Sequence, residues 1–345
     1  MSILLKSFLG LAENAFMPDR VIRYGIRYLC RQRLKKSVSG QSDDSKFVEQ
    51  MNNSPIAMVP ELANEQHYEV PPEFFKLSLG PHLKYSGCLW DESTKTLGEA
   101  ESASLEQVCQ RAAIEDGHRI LELGCGWGSL SLFLAQKFPN SQITSVSNSA
   151  DQRGFIEEKI QRLNLTNLQI ITADMNEFQT DGKFDRVVSI EMFEHMRNWG
   201  QLLSRIASWM DDQGRMFMHV FSNRSATYEF LSEGTDNWMG RHFFSGGIMP
   251  AHDLIRNFDQ SLEVEEDWVV DGTHYQKTAE AWLANMDEHC EKVLEVFEKT
   301  YGSRQAETWF QRWRMFFMAC AELFGYQDGQ QWQVSHYRLK KTAGN

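Results

Sequence analysis

Paired cysteines are missing from this chain. Its six, Cys30, Cys88, Cys109, Cys125, Cys290 and Cys320, form no Cys-x-x-Cys pair and no Cys/His ligand spacing. That excludes a structural zinc site as an expectation and points to a reduced, cytoplasmic compartment. A basic surplus is missing too. Lys+Arg number 35 against Asp+Glu 47, a formal net charge of -12, whereas a nucleic-acid surface needs a net basic face. The balance is compatible with a small cationic substrate, although an acidic surface is usually just solubility. Long apolar runs are scarce as well. Ile3 to Met17 is interrupted by Lys6, Glu13 and Asn14 and has no convincing cleavage site, so it reads as neither a secretory signal nor a membrane span.

What is present is a glycine turn in a chain of 345 residues, a length that suits one large α/β domain with additions or two domains. Ile120, Leu121 and Leu123 read as a buried strand, and a helical pattern begins at Ser129. Between them, Gly124, Gly126 and Gly128 can take backbone angles closed to other residues and let a ligand lie against the main chain. Such a cradle sits at the carboxyl end of a parallel strand. The dinucleotide fingerprint is Gly-x-Gly-x-x-Gly, with an acid about 20 residues on. Here the spacing is Gly-x-Gly-x-Gly, preceded by Glu122. That is the S-adenosylmethionine pattern, because this cofactor has no phosphate but has an ammonium and a ribose to bind. A plain β-α turn without a ligand is the bland alternative.

Residues 1 to 36 read as helical with a break near Pro18. Arg20, Arg23, Arg27 and Arg31 make one basic stripe, read as the solvated face of a packed helix rather than as a dock for anionic lipid. Ser37 to Pro60 reads as a polar linker. Further strands are expected at Gln142–Ser149, Leu168–Thr172, Phe184–Ile190, Gly214–Phe221, Leu262–Val270 and Trp332–Leu339, with a helical pattern over Thr278–Phe324.

His67-Tyr68-Glu69, Lys84-Tyr85-Ser86-Gly87-Cys88 and the glycine turn occur in that order. In this the chain resembles the cyclopropane-fatty-acid synthase-like methyltransferases, most of all their plant coclaurine N-methyltransferase branch, from about residue 20 to the end. The resemblance implies an α/β, Rossmann-like class I methyltransferase fold. Its sheet is seven-stranded and mostly parallel with an antiparallel last strand, and it carries helical N-terminal and inserted lid segments. Residues 1–100 would form the N-terminal helices, linker and cofactor lid, and 101–345 the methyltransferase domain, with lid insertions at about 222–258 and 272–328. Tyr85 and Ser86 would approach the methionine end of the cofactor. Ser147, Asn148 and Gln152 resemble the neutral ribose site of this branch, in which no strand-end acid is used. Asp174, at a third strand end, can accept the adenine amino hydrogen while Met175 covers the ring, or can merely cap a turn. Ile190 closes the fourth strand beside the cofactor.

Glu191-Met192-Phe193-Glu194-His195 follows that strand. In a helical or turn-like segment, Glu191, Glu194 and His195 stand at i, i+3 and i+4 and point to one side. An ammonium acceptor has no lone pair, so a base must take its proton before methyl transfer. Glu194 and His195 are the expected base, with Glu191 an orienting partner or cation anchor; the resemblance implies the same Glu/His pair. In cyclopropane synthases a bicarbonate would be held by the matches of Glu194, His219 and Tyr275 together with a cysteine, and at that last position this chain has Gly87. Trp238, Phe243 and Phe244 can wall an aromatic or cationic substrate, or can as easily be ordinary packing; core packing explains most of the later aromatic stripe, with Phe324 and Tyr326, near its end, placed to reach the same pocket.

The expectation is therefore an S-adenosylmethionine-dependent enzyme acting on a small-molecule methyl acceptor, an amine before a thiol, with no metal and no nucleic-acid partner. Lipid cyclopropanation at a membrane surface and a non-catalytic cofactor-binding scaffold are the other readings. The oligomeric state, a homodimer included, is left open.

Overall fold

The computed structural model describes residues 2–39, 44–58, 70–234 and 237–342. His67-Tyr68-Glu69, residues 40–43 and 59–60 of the expected linker, and Thr235-Asp236 lie outside the described residues. Five strands, β1 (Arg119–Leu123), β2 (Gln142–Ser147), β3 (Leu168–Thr172), β4 (Phe184–Ile190) and β5 (Met210–Asn223), run parallel. A small hairpin of β6 (Tyr228–Glu229) and β7 (Ile248–Met249) follows in the first insertion. Then β8 (Leu262–Val270) and β9 (Trp332–Lys341) complete a seven-stranded sheet of order β3-β2-β1-β4-β5-β9-β8, with β9 antiparallel to both neighbours.

The strands form where their apolar residues are buried on both faces by helices, as in β1, whose Ile120, Leu121 and Leu123 are fully buried. Chain order reverses between β1 and β4. An open sheet binds ligands in the crevice at that switch, beyond the strands' carboxyl ends. Both sequence features of interest, the glycine turn and Glu191, leave the sheet there.

Helices Gly272–Glu288, Cys290–Tyr301 and Ala306–Phe324 fill the second insertion, between β8 and β9. The helical pattern thus starts earlier than Thr278, because Asp271 caps it by accepting the Thr273 N–H at 3.0 Å. It breaks at His289 and at Gly302, which has φ +81°.

The N-terminal helices are Ser2–Glu13 and Asp19–Ser39. The basic stripe is not simply solvated: Arg23 pairs with Glu280 and Glu322, and Arg27 with Glu322, which fixes the second helix to the C-terminal ones. Among the described residues no helix is long and apolar enough to cross a membrane.

The linker expectation is corrected. Asp44–Asn52 is a helix, and Met51, Ile56 and Ala57 are buried. The polar composition hides a narrow apolar face, on which Phe47, Val48 and Met51 pack against the core. Asn198 then holds the helix end, donating to the carbonyls of Asn52 and Ser54 at 2.9 Å each.

Candidate active site

One cavity opens at the switch point. Its wall includes Tyr85, Ser86, Glu122, Gly124, Gly126, Ser147, Asn148, Gln152, Asp174, Met175, Ile190, Glu191 and His195. The structure thus brings together every residue expected to hold the cofactor. Leu83, Lys84, Trp127, Ser129, Met196, Ser245 and Ala57 of the misread linker complete much of the rest. Sequence patterns gave no sign of these last, because a lysine or an alanine next to a motif reads as surface or packing.

The three turn glycines have different reasons to be glycine. All have positive φ, +80°, +53° and +80° at 124, 126 and 128. A Cβ on Gly124 would lie 2.9 Å from the Met192 Cβ, and one on Gly128 2.8 Å from Ile156. Those two permit close packing. Only at Gly126 is there nothing within 4 Å, so that is where the turn leaves room for a ligand against the backbone.

Glu122 is buried, its Oε2 accepting from Ser131 Oγ and from Ser145 Oγ, the latter at 2.9 Å. Burial pushes its carboxyl up to about 7 against the pull of both hydroxyls. Ser147 Oγ donates to Gln152 Oε1 at 2.6 Å and accepts the Ser149 N–H at 3.0 Å. This leaves the buried Gln152 Nε2 without a partner, and Trp127 Nε1 and Ser129 Oγ on the same wall are unpartnered too. Such donors need acceptors. Together with the open face of Gly126 they fit the polar edges of S-adenosylmethionine. Asp174 Oδ1 accepts the Asn176 N–H at 2.8 Å, so it caps its own turn while lining the cavity.

At the other end lies the carboxylate cluster. The strand does not run into a helix: Glu191 is left-handed, with φ +48°, and Phe193–His195 is a single 3₁₀ turn. The expected i, i+3, i+4 alignment is therefore corrected. Glu191 turns to Gly87, His219 and Tyr275. Its Oε1 accepts the Gly87 N–H at 2.9 Å and lies 3.1 Å from His219 Nε2, and its Oε2 accepts the Tyr275 hydroxyl at 2.9 Å. A left-handed glutamate costs about 1–2 kcal/mol, which these charge-assisted bonds offset.

Glu194 is fully buried behind the wall. Its Oε1 accepts the Phe221 N–H at 2.7 Å, and its Oε2 has no partner. Burial, with Glu191 beside it, pushes this carboxyl well above the usual carboxylate range. Burial also raises Glu191, but Lys84 and the Gly87 and Tyr275 donors oppose it. Two adjacent buried carboxyls do not both ionise readily, and the donors assign the negative charge to Glu191. His195 lines the cavity with its ring stacked on Phe244 at 4.8 Å. Burial lowers it to about 4, so the imidazole is neutral at physiological pH.

Gly87 explains the departure from the cysteine pattern. A Cβ there would lie 2.8 Å from the Tyr275 ring, so glycine lets Tyr275 reach Glu191. Cys88 is buried and its thiol is pushed up to about 12 by burial, which keeps it protonated. Lys84 is also buried, and its Nζ donates to Ser86 Oγ at 2.6 Å and to Gly87 O at 2.5 Å.

Several residues assigned to the substrate wall sit elsewhere. Phe243 is fully buried, stacked on Phe316 at 4.4 Å and edge-on to Trp313 at 5.1 Å. Trp238 packs on Phe243 and donates to Glu13 Oε1 at 2.7 Å. Tyr326 packs on Trp332, 5.8 Å away. Phe324 stacks on Tyr275 at 4.1 Å, so it supports the tyrosine rather than the wall. His219 and Tyr275 touch Glu191 rather than the cavity. Aromatic content alone did not tell packing from lining.

Comparison with known proteins identifies the family. The family model described as mycolic acid cyclopropane synthetase matches residues 59–334. The chain is 34% identical to (S)-coclaurine N-methyltransferase from Thalictrum flavum subsp. glaucum, covering 95% of this chain and 94% of that one. The chain belongs to this family. It is an S-adenosylmethionine-dependent methyltransferase. A crystal structure of coclaurine N-methyltransferase bound to N-methylheliamine and SAH superposes with a TM-score of 0.93 at 32% identity, covering 97% of this chain and 99% of that one. The cyclopropane-fatty-acyl-phospholipid synthase of Escherichia coli (strain K12) is 28% identical over 79% of this chain and 67% of its own.

Proposed function

We propose that this member of the family methylates the nitrogen of a small-molecule amine, and that Glu191 anchors the incoming ammonium. The observation carrying the reading is the Glu191 carboxylate itself: an anion on the cavity wall, held by the Gly87 N–H and the Tyr275 hydroxyl with His219 against it. Two of the groups that the cyclopropane synthase resemblance gives to a bicarbonate, His219 and Tyr275, are taken up here by the Glu191 side chain. A fixed carboxylate attracts a cation, whereas a neutral alkene gains nothing from it.

Bound in the cavity, S-adenosylmethionine supplies a methyl group on a positively charged sulfur. The protein's task is to present a neutral amine to it. Burial next to a second cation lowers an ammonium's affinity for its proton. His195, neutral and on the wall, takes that proton, and Glu194, whose Oε2 is unpartnered, is a second acceptor once its own proton has gone to solvent. The Tyr85 ring, on the same cavity wall as His195, offers a face that attracts ammonium and aromatic groups. The substrate class that fits is an aromatic-bearing amine, in line with the names of the plant relatives.

Incubation with labelled S-adenosylmethionine and a panel of cyclic amines, small thiols and unsaturated phospholipid vesicles tests this. Label is expected in an amine product; transfer to lipid alone would overturn the reading. Glu194→Ala and His195→Ala are expected to keep S-adenosylhomocysteine binding and lose most turnover, measured by calorimetry and initial rates. Unaltered rates in both would remove the base assignment.

A further inference from the structure

Behind Glu191 a line of rings crosses the sheet. His219 on β5 is the direct cross-strand partner of His336 on β9, and His336 is the partner of Trp268 on β8, so the three stand on one face. The Arg111 guanidinium, at the last turn of helix Leu97–Arg111, lies over the Trp268 ring at 5.0 Å and 2.6 Å from His336 Nδ1. His336 Nε2 is 2.9 Å from His219 Nδ1, and His219 Nε2 is 3.1 Å from Glu191 Oε1. Both imidazoles are buried.

Only one set of proton positions satisfies this chain with neutral rings. A guanidinium donates and never accepts. His336 Nδ1 must therefore accept, which puts its hydrogen on Nε2, facing His219 Nδ1. That nitrogen accepts in turn, and the His219 hydrogen is left on Nε2, aimed at Glu191. Burial lowers both rings well below the ordinary histidine range, with Lys84 and Arg111 adding to it, so neither is doubly protonated.

We infer that Arg111 is a positioning residue: through His336 and His219 it fixes the polarity of a hydrogen-bond chain so that His219 donates to Glu191 and the carboxylate stays an anion aimed at the substrate. Without the guanidinium the chain can reverse. His219 Nε2 then presents a lone pair to Glu191, and the carboxyl must take up a proton or turn away. The groups that face Glu191 are Lys84, Gly87, Glu194, His195, His219 and Tyr275. Arg111 touches none of the cavity. The inference rests on the reading of Glu191 as the ammonium anchor.

The test combines nitrogen-15 NMR of labelled histidines with steady-state kinetics on full-length Arg111→Met, His336→Phe and His336→Gln. In the wild type both His219 and His336 are expected as the Nε2–H tautomer. Arg111→Met and His336→Phe should move His219 toward Nδ1–H and raise KM for the amine about tenfold, while Kd for S-adenosylhomocysteine stays put. Glutamine at 336 can accept from Arg111 and donate to His219, so His336→Gln should restore both readouts. An unchanged His219 tautomer in Arg111→Met, or an unchanged KM with a shifted tautomer, would overturn the inference. If instead Glu191→Gln itself leaves KM untouched, the anchor reading fails and the tautomer measurement still decides whether the chain has a fixed direction.

Discussion

Replacing Glu191 by glutamine keeps the shape of the site and removes its charge. The carboxylate has three polar neighbours, the Gly87 N–H at 2.9 Å, His219 Nε2 at 3.1 Å and the Tyr275 hydroxyl at 2.9 Å. A glutamine whose oxygen faces Gly87 and His219 keeps two of these bonds, and the Tyr275 hydroxyl can rotate to accept from the new amide. Each bond falls from charge-assisted to neutral, a loss of about 1 kcal/mol apiece. Removing a buried anion returns a desolvation cost of several kcal/mol, so the variant should be as stable as the wild type or more so. Binding of the acceptor is where the loss appears. An ammonium deprived of its partner in a partly buried site costs about 3 kcal/mol or more, which is about a hundredfold in kcat/KM. The assay is initial-rate kinetics on an amine substrate across at least a decade of concentration, with cofactor-product affinity by calorimetry and thermal unfolding alongside. A kcat/KM within threefold of wild type would refute the reasoning. So would a fall fully explained by weaker cofactor binding.

Gly87→Ala should lower kcat/KM by ten- to a hundredfold. Its Cβ would stand 2.8 Å from a Tyr275 ring that Phe324, stacked behind it at 4.1 Å, keeps from receding, and a lost bond to a charged acceptor is worth about 1.5–3 kcal/mol; rates equal to wild type would show that the tyrosine contact is dispensable. Gly126→Ala and Gly154→Ala form a contrasting pair, since both glycines have open space where the Cβ would go but only Gly126 has φ +53°. The first should weaken cofactor binding about tenfold and destabilise by about 1 kcal/mol, the second should stabilise its helix by about 0.5–1 kcal/mol; calorimetry and urea unfolding check both. His195, lowered to about 4, refuses a proton that the unfolded chain accepts below its ordinary value of about 6.5. Folding stability should therefore be complete above pH 6.5 and fall as pH drops toward 4. His195→Phe, which keeps the stack on Phe244, should reduce the loss between pH 7.5 and pH 5 by about 1–2 kcal/mol, the ring edge's access to the cavity limiting the effect; equal losses in urea unfolding would contradict it.

The strands were legible because each is a short run rich in apolar and β-branched residues, although β3 and β8, at the sheet's edges, are only partly buried. Leu168–Thr172, Phe184–Ile190 and Leu262–Val270 begin and end where the apolar pattern does. The glycine turn was legible because positive φ and close packing leave glycine no substitute at 124 and 128. The linker was misread because the helix Asp44–Asn52 buries only a thin face in a polar stretch. The aromatic insertion was misread for the converse reason: Trp238 and Phe243 look like recognition residues by type, and only the packing of Phe243 on Trp313 and Phe316, with Trp238 against Phe243, shows that they belong to the core. The phase of Glu191, Glu194 and His195 depended on a helix that a single left-handed residue replaces. No local pattern predicts that torsion for a glutamate, because its support comes from Gly87 and Tyr275, far away in the chain.

That dependence bears on how the chemistry is divided between the two acids. Glu191 and Glu194 lie three residues apart and both are withdrawn from water, yet their surroundings are opposite. One has a backbone N–H, a tyrosine hydroxyl and an imidazole turned toward it, and the other has one backbone N–H and a bare oxygen. Neighbouring carboxyls with unequal donors separate into an anion and an acid. The anion belongs where a cation must arrive. The bare oxygen belongs to the acid, and it can take the amine's proton only after the proton it already holds has left to solvent, which the charge of an arriving cation favours. On this argument attraction by Glu191 comes first and readies Glu194, whereas His195 is neutral, and so an acceptor, before the amine arrives.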